Sequence, residues 1–229
     1  MSNLLFFNVL PYVALFVMIG GSFYRFFSKS YQVSSLSSQF LEYKGLFWGS
    51  NSFHYGLVFL FFGHLTAFLF PRSVLAWNNQ PVRVIILEVS AFAFGLAVLT
   101  GLILLIIRRL NNKRLLTVAS GMDIAVYLVL LVQVISGLWV AYFNRWGSSW
   151  FASVLTPYLY SIFRFSPDST AISTMSLSIK IHVVSAFLIT AMFPFTRFFH
   201  FIAFPFTYLW RSYQVVVWNW DRKKIRKTV

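Results

Sequence analysis

Residues 52–70 carry no charged side chain, yet they hold two histidines, His54 and His64. At about 1.5 Å per residue, such a run crosses a hydrocarbon layer of roughly 30 Å as one helix. Ionisable groups at that depth are costly to desolvate, so each needs a partner that uses it. The ten-residue separation puts the two rings about 15 Å apart along a helix, too far to share one metal ion.

The rest of the chain agrees with a membrane setting. Only 10% of its 229 residues are charged and 59% are hydrophobic, whereas soluble domains carry about 25% charged residues. That length suits one bundle of four to six spanning helices. The net charge of +14 is spread in short clusters between apolar runs. Such clusters are topology signals and not a nucleic-acid footprint. Without cysteine the chain forms no disulfide, no thiolate-held iron–sulfur cluster and no covalently attached haem.

Taken in order, the runs predict an all-α protein with five transmembrane helices. The first, residues 4–27, lacks the basic flank and cleavage site of a signal peptide and reads as a retained helix. A Ser- and Gln-rich connection, 28–50, leads to the histidine helix, which stops near Pro71 because proline interrupts the ladder. A third helix is predicted over 82–108 and a fourth over 121–142, where Asp123 complements the helix dipole. Residues 143–176, with Trp146, Trp150, Tyr158 and Tyr160, predict a short interfacial helix with its rings at headgroup level. The fifth helix, 177–210, carries His182 and His200 and is too long for one upright span. Residues 1–210 thus form the membrane domain, and 211–229 a basic cytoplasmic tail.

Placing the amino terminus outside puts 14 of the 19 Lys and Arg residues on inner segments and 5 on outer ones, as the positive-inside rule requires. His54 and His200 then lie toward the inner side, and His64 and His182 further out. A lone buried histidine is usually a hydrogen-bonded packing residue. Four of them, confined to helices 2 and 5 and matched in depth, suit b-type haem, whose iron takes two axial imidazoles from facing helices. The two spacings differ, about 15 Å against about 27 Å, so the helices are not ideal parallel rods. Gly56, Gly63 and Gly137 would let a macrocycle approach the backbone. A transporter with structural histidines is the alternative from another class, though no paired interrupted helices point to one.

The sequence also resembles the gamma subunit, a dihaem cytochrome b, of membrane-bound respiratory nitrate reductase. The likeness rests on Ser37-Ser-Gln39, Lys44-Gly45, Ser50-Asn-Ser-Phe-His54-Tyr-Gly56, Gly63-His64, Arg108-Arg-Leu110, Gly121-Met-Asp123, Lys180-Ile-His182 and Phe193-Pro-Phe-Thr-Arg-Phe-Phe-His200, followed by Pro205 and Tyr208-Leu209. It implies an outer, distal haem on His64 and His182 and a proximal haem on His54 and His200. It further implies a quinol site at Gly63, His64 and Arg83. A well-known member of that family has lysine at the third position, so Arg83 is a departure that keeps the cation but changes its shape. Arg197, one turn before His200, is placed to hold a haem propionate by charge-assisted hydrogen bonds, and snorkelling to the headgroups is the alternative.

The expected function is that of a membrane anchor in the cytoplasmic membrane of a prokaryote. It would oxidise quinol at the outer side and pass electrons through two haems to an iron–sulfur beta subunit and a molybdenum-containing alpha subunit that reduces nitrate. The alternative within the redox class is a dihaem cytochrome b serving another molybdenum or sulfur-compound oxidoreductase. Glu88 is a candidate proton outlet, set against a carboxylate stabilised by the dipole of its helix start.

Overall fold

A computed structural model of the chain describes residues 2–28 and 44–201. Among these every element is helical, and five helices are long and apolar enough to cross a membrane: Leu5–Ser28, Leu46–Leu69, Pro81–Asn111, Gly121–Phe143 and Leu177–Phe195. The basic tail, the similar stretches at 37–39 and 205–209, and the predicted helix beyond 201 lie outside the described residues.

Proline decides where the first two spans change course. A turn at Ser2–Leu4 and a wide turn at Leu5–Val9 lead into α1, Leu10–Ser28. Pro11 has no N–H to give the carbonyl four residues earlier, that of Phe7. The hydroxyl of Tyr158 donates to it instead, at 2.7 Å. Helix α2, Lys44–Leu69, begins earlier than the sequence suggests, because Ser50 and Asn51 fit a helix near the interface as well as a loop. Pro71 both ends α2 and opens α3, Pro71–Trp77, where a first-turn proline loses nothing. The carbonyl that Pro71 leaves without a donor is that of Ala67, and the fully buried Thr156 hydroxyl fills it at 3.2 Å.

Helix α4, Pro81–Asn111, runs antiparallel to α2 at very close range. A Cβ on Gly101 would stand 2.4 Å from Phe53 N, and one on Gly56 would stand 2.7 Å from the Phe94 carbonyl oxygen. Small residues allow such approach between membrane helices. Gly56 therefore packs helix on helix, a correction to its expected role beside a macrocycle. The basic connector contains α5, Lys113–Thr117, with the Asn112 side chain accepting from Arg114 N at its start. Helix α6, Gly121–Phe143, opens on a capping box formed by Ser120 and Asp123.

The connection over residues 143–176 is folded and not merely interfacial. It holds α7, Gly147–Trp150, a wide turn at Phe151–Leu155, α8, Thr156–Phe163, and α9, Thr170–Ser173. Leu155, Tyr158, Ile162 and Ile172 bury themselves in one cluster with Phe7 and Val140. Tyr12 OH donates to the Ile162 carbonyl at 3.0 Å, and Tyr160 OH to that of Phe68 at 2.6 Å. Short helices were expected here, but Tyr158 and Tyr160 point inward to carbonyls and not to headgroups. Burial pushes the Tyr158 hydroxyl pKa up, which keeps it a donor.

The fifth span is α10, Leu177–Met192, and it is not one long helix. It breaks into tight turns at Phe193–Phe195 and Arg197–Phe199, joined by Thr196 in extended backbone with φ −115° and ψ 176°. Pro194 is the cause, since it cannot donate to the ladder. The break removes the spacing conflict between the two histidine pairs, because His182 and His200 do not lie on one straight axis.

Large apolar side chains face outward along all five spans. Phe16 is 78% exposed and Tyr55 75%, a surface that only lipid covers at low cost.

Thr156→Val and Tyr158→Phe should each lower stability by about 1–3 kcal/mol, the cost of orphaning a buried carbonyl. Thermal unfolding in detergent measures it; a change under a few tenths would show that the proline-freed carbonyls need no side-chain donor.

Candidate functional site

Each of the four histidines has its Nδ1 on a main-chain carbonyl, which can only accept. His54 Nδ1 donates to Ser50 O at 2.8 Å, and His64 Nδ1 to Leu60 O at 2.7 Å, both one turn back on α2. His182 Nδ1 donates to Gln133 O of α6 at 3.0 Å, and His200 Nδ1 to Arg197 O. The proton is therefore on Nδ1 and the lone pair on Nε2 in all four rings. This is the arrangement in which imidazole ligates a metal with its outer hydrogen bond already made.

The rings stand in two couples. His54 and His200 have centroids 6.2 Å apart, and His64 and His182 have centroids 6.5 Å apart. Two nitrogen–metal bonds of about 2.0 Å and two ring radii of about 1.1 Å predict about 6.2 Å between axial imidazoles. Direct hydrogen bonding between the rings would bring them closer. Among the described residues no group of three or more His, Cys, Asp or Glu side chains gathers, so a site built only from protein ligands is not assembled here.

His64 and His182 open on a cavity of about 1110 Å³ bounded by α2, α4, α6, α10 and the cap formed by the 143–176 connection. Its walls are apolar apart from a few groups, of which Gln133 and Glu88 stand out. Gly63 faces it, and a Cβ there would meet nothing within 4 Å. Gly137 differs, since its Cβ would come 2.8 Å from His182 Cε1. A large flat group suits these walls, and the donor set suits haem iron.

Gln133 was not singled out in the sequence. Its side-chain amide donates to His182 Nε2 at 3.2 Å, and its carbonyl oxygen accepts from the Ser185 hydroxyl. A metal bound at that nitrogen competes with Gln133 for one lone pair. A polar amide inside the apolar run 121–142 was the signal available.

The His54–His200 couple is positioned by cations. Arg25, at the end of α1, donates from Nη1 to the carbonyls of Pro194 and Thr196, both at 2.6 Å, and lies 5.0 Å over the Phe199 ring. It holds the broken segment that presents His200, a task beyond its charge count. Asp123 pairs with Arg109 at 3.2 Å and with Arg197 at 3.3 Å, tying the ends of α4 and α6 to the same segment. Arg197 thus sits beside His200 with its Nε on a carboxylate. Arg83 lies 4.8 Å over the Trp77 ring and is not among the residues lining the cavity, unlike Gly63 and His64.

Five apolar spans with two opposed imidazole couples between them define a multi-pass helical membrane protein. The family described as nitrate reductase gamma subunit matches residues 3–219, and the chain belongs to it. It is 32% identical to the nitrate reductase gamma chain of Bacillus subtilis, over 94% of this chain and 98% of that one. It is also 32% identical to the respiratory nitrate reductase 2 gamma chain of Escherichia coli, over 93% and 96%. A nitrate reductase-like protein NarX of Mycobacterium tuberculosis is 27% identical over 93% of this chain, which spans 33% of that longer protein. The chain is a membrane-anchored electron-transfer subunit of the nitrate reductase type.

Gly137→Ala should displace the His182 ring and disturb the His64–His182 couple, whereas Gly63→Ala should leave the apoprotein fold intact. Unfolding curves of the two apoproteins check this. Equal stability would mean that the Gly137 contact is soft.

Proposed function

We propose that this chain is the quinol-oxidising membrane anchor of a nitrate reductase complex. In this reading it holds one haem b between His64 and His182 and a second between His54 and His200. The observation that carries it is the two couples of Nδ1-protonated imidazoles, spaced as axial ligands are. Bound there, the haems supply one-electron chemistry that links quinol at the outer side to iron–sulfur beta and molybdenum-containing alpha subunits at the inner side.

The chain's own residues do the rest. The four carbonyl-anchored rings fix orientation and raise ligand basicity. The apolar walls exclude water around the outer couple, which strengthens every electrostatic contact there. Gly63 leaves the wall thin beside His64, and Arg83 is the cation proposed to face quinol from the foot of α4. Arg197, three residues before His200, is proposed to meet a haem propionate. With the amino terminus outside and the carboxyl terminus in the cytoplasm of a prokaryote, the Arg25, Arg109 and Arg197 end faces the partner subunits, as the charge bias supports.

Haem content tests the reading. Reduced-minus-oxidised optical spectra with iron analysis should give two haems per chain. His64→Ala should lose about one of them together with quinol oxidation and keep the His54 haem. Retention of both haems in that variant would overturn the pairing, and absence of haem bands in the wild type would overturn the function.

A further inference from the structure

We propose that Glu88 is the group that accepts the proton of the quinol hydroxyl and delivers it to the outer water. The proposal rests on the quinol-oxidising reading and names the residue that would do its proton chemistry. The sequence left Glu88 between an outlet and a dipole-stabilised carboxylate at a helix start. The second is wrong on position, since no acidic residue stands in the first turn of α4.

Glu88 is the one carboxylate among the described residues that line the cavity shared with His64 and His182. Its depth follows from the packing of the two antiparallel helices. Phe59 stacks on Phe94 at 3.8 Å, and Gly101 closes on Phe53. Advancing along one helix while retreating along the other brings Glu88 level with His64. The side chain is 13% exposed, so it belongs to the wall and not to the surface.

Three donors converge on the carboxylate. Oε1 accepts from the backbone N–H of Trp146 and from that of Gly147 at 3.2 Å, and Oε2 accepts from Arg145 Nε at 3.2 Å. Trp146 takes a left-handed φ of 65°, a conformation that costs a non-glycine residue about 1 kcal/mol or more. The chain holds its loop in that shape while turning two N–H groups and a cation onto Glu88. Arg145 is 58% exposed, so the carboxylate touches the cavity on one side and a solvent-facing cation on the other.

The other titratable and charged groups around it are few. His64 of α2 and His182 of α10 line the same cavity, and their Nε2 atoms are the proposed ligand nitrogens. Tyr142 of α6 packs on Phe92, one turn along, at 6.2 Å. Arg83 of the same helix is about 140° away around the axis and lies over Trp77.

The chemistry balances. Quinol becomes quinone by losing two electrons and two hydroxyl protons; on the quinol-oxidising reading, a haem held by His64 and His182 would be the one-electron acceptor. Losing an electron makes a quinol hydroxyl acidic, so a weak base suffices. Each proton passes in turn from the hydroxyl oxygen to a Glu88 carboxylate oxygen, and the carboxylic acid releases it to outer water before the next. General-base help of this kind is worth about 10²–10⁴ in rate.

The test uses the intact complex in lipid vesicles with menadiol as donor, comparing wild type with Glu88→Gln, Glu88→Asp and Arg145→Gln. Glu88→Gln should slow menadiol oxidation by about 10²-fold or more. It should also abolish the acid-side fall of the rate, leave haem bands in place, and remove a carboxylic C=O band from the menadiol-induced infrared difference spectrum. Arg145→Gln should keep that band and change the pH profile of the rate, because it removes the cation paired with Glu88 Oε2. If Glu88→Gln fails to assemble, Glu88→Asp carries the test through a shifted band and a shifted pH profile. Oxidation by Glu88→Gln within about twofold of wild type, or an Arg145→Gln variant as slow as Glu88→Gln with no pH shift, would overturn the proposal and leave a loop clamp. A wild type without haem bands would overturn the underlying reading, and this proposal with it.

Discussion

The hydrogen bond from an imidazole Nδ1–H to a main-chain carbonyl is the contact on which the rest depends. It settles which nitrogen keeps its lone pair and where that lone pair points. A helical carbonyl already accepts from its own ladder but has a second lone pair to give. His54 and His64 use the carbonyl one turn back, so their orientation is local to α2. His182 uses Gln133 of a different helix, and its orientation exists only once α6 and α10 have packed. His200 depends on the broken segment around Thr196, which Arg25, Arg109 and Asp123 hold from other helices.

The bilayer makes the same demand on the backbone that it makes on the rings. Carbonyls that proline strips of their donors cannot turn to water in hydrocarbon. Here hydroxyls of the cap over residues 143–176 serve two of them, from Tyr158 and Thr156. Closing those carbonyls also closes one end of the bundle over the His64 cavity. Stability of the cap and enclosure of the site therefore come from one set of contacts. Glu88 joins the two by lining the cavity while anchoring the Arg145–Gly147 loop.

Much of this was legible beforehand, and unevenly. Four of the five spans were close to plain reading, since a run of apolar residues long enough to cross lipid has few other uses. The proximity of His64 to His182 and of His54 to His200 could be argued from depth. Gly56 and Gly137 were readable as places of close approach but not as to what approaches: another helix at Gly56, the His182 ring at Gly137. Arg25 looked like a topology charge, and Asp123 like a simple cap. Both carry further contacts that no local pattern shows.

The sequence by itself determined the solvent, the number of spans and the four imidazoles, because hydropathy and residue identity are properties of the chain alone. Only the tertiary structure decided where the fifth span breaks, which carbonyl orients His182, how the 143–176 connection folds onto the bundle and what surrounds Glu88. Those outcomes depend on groups far apart in the chain meeting in space, and the energy of an unmet donor or acceptor is not written in either partner alone.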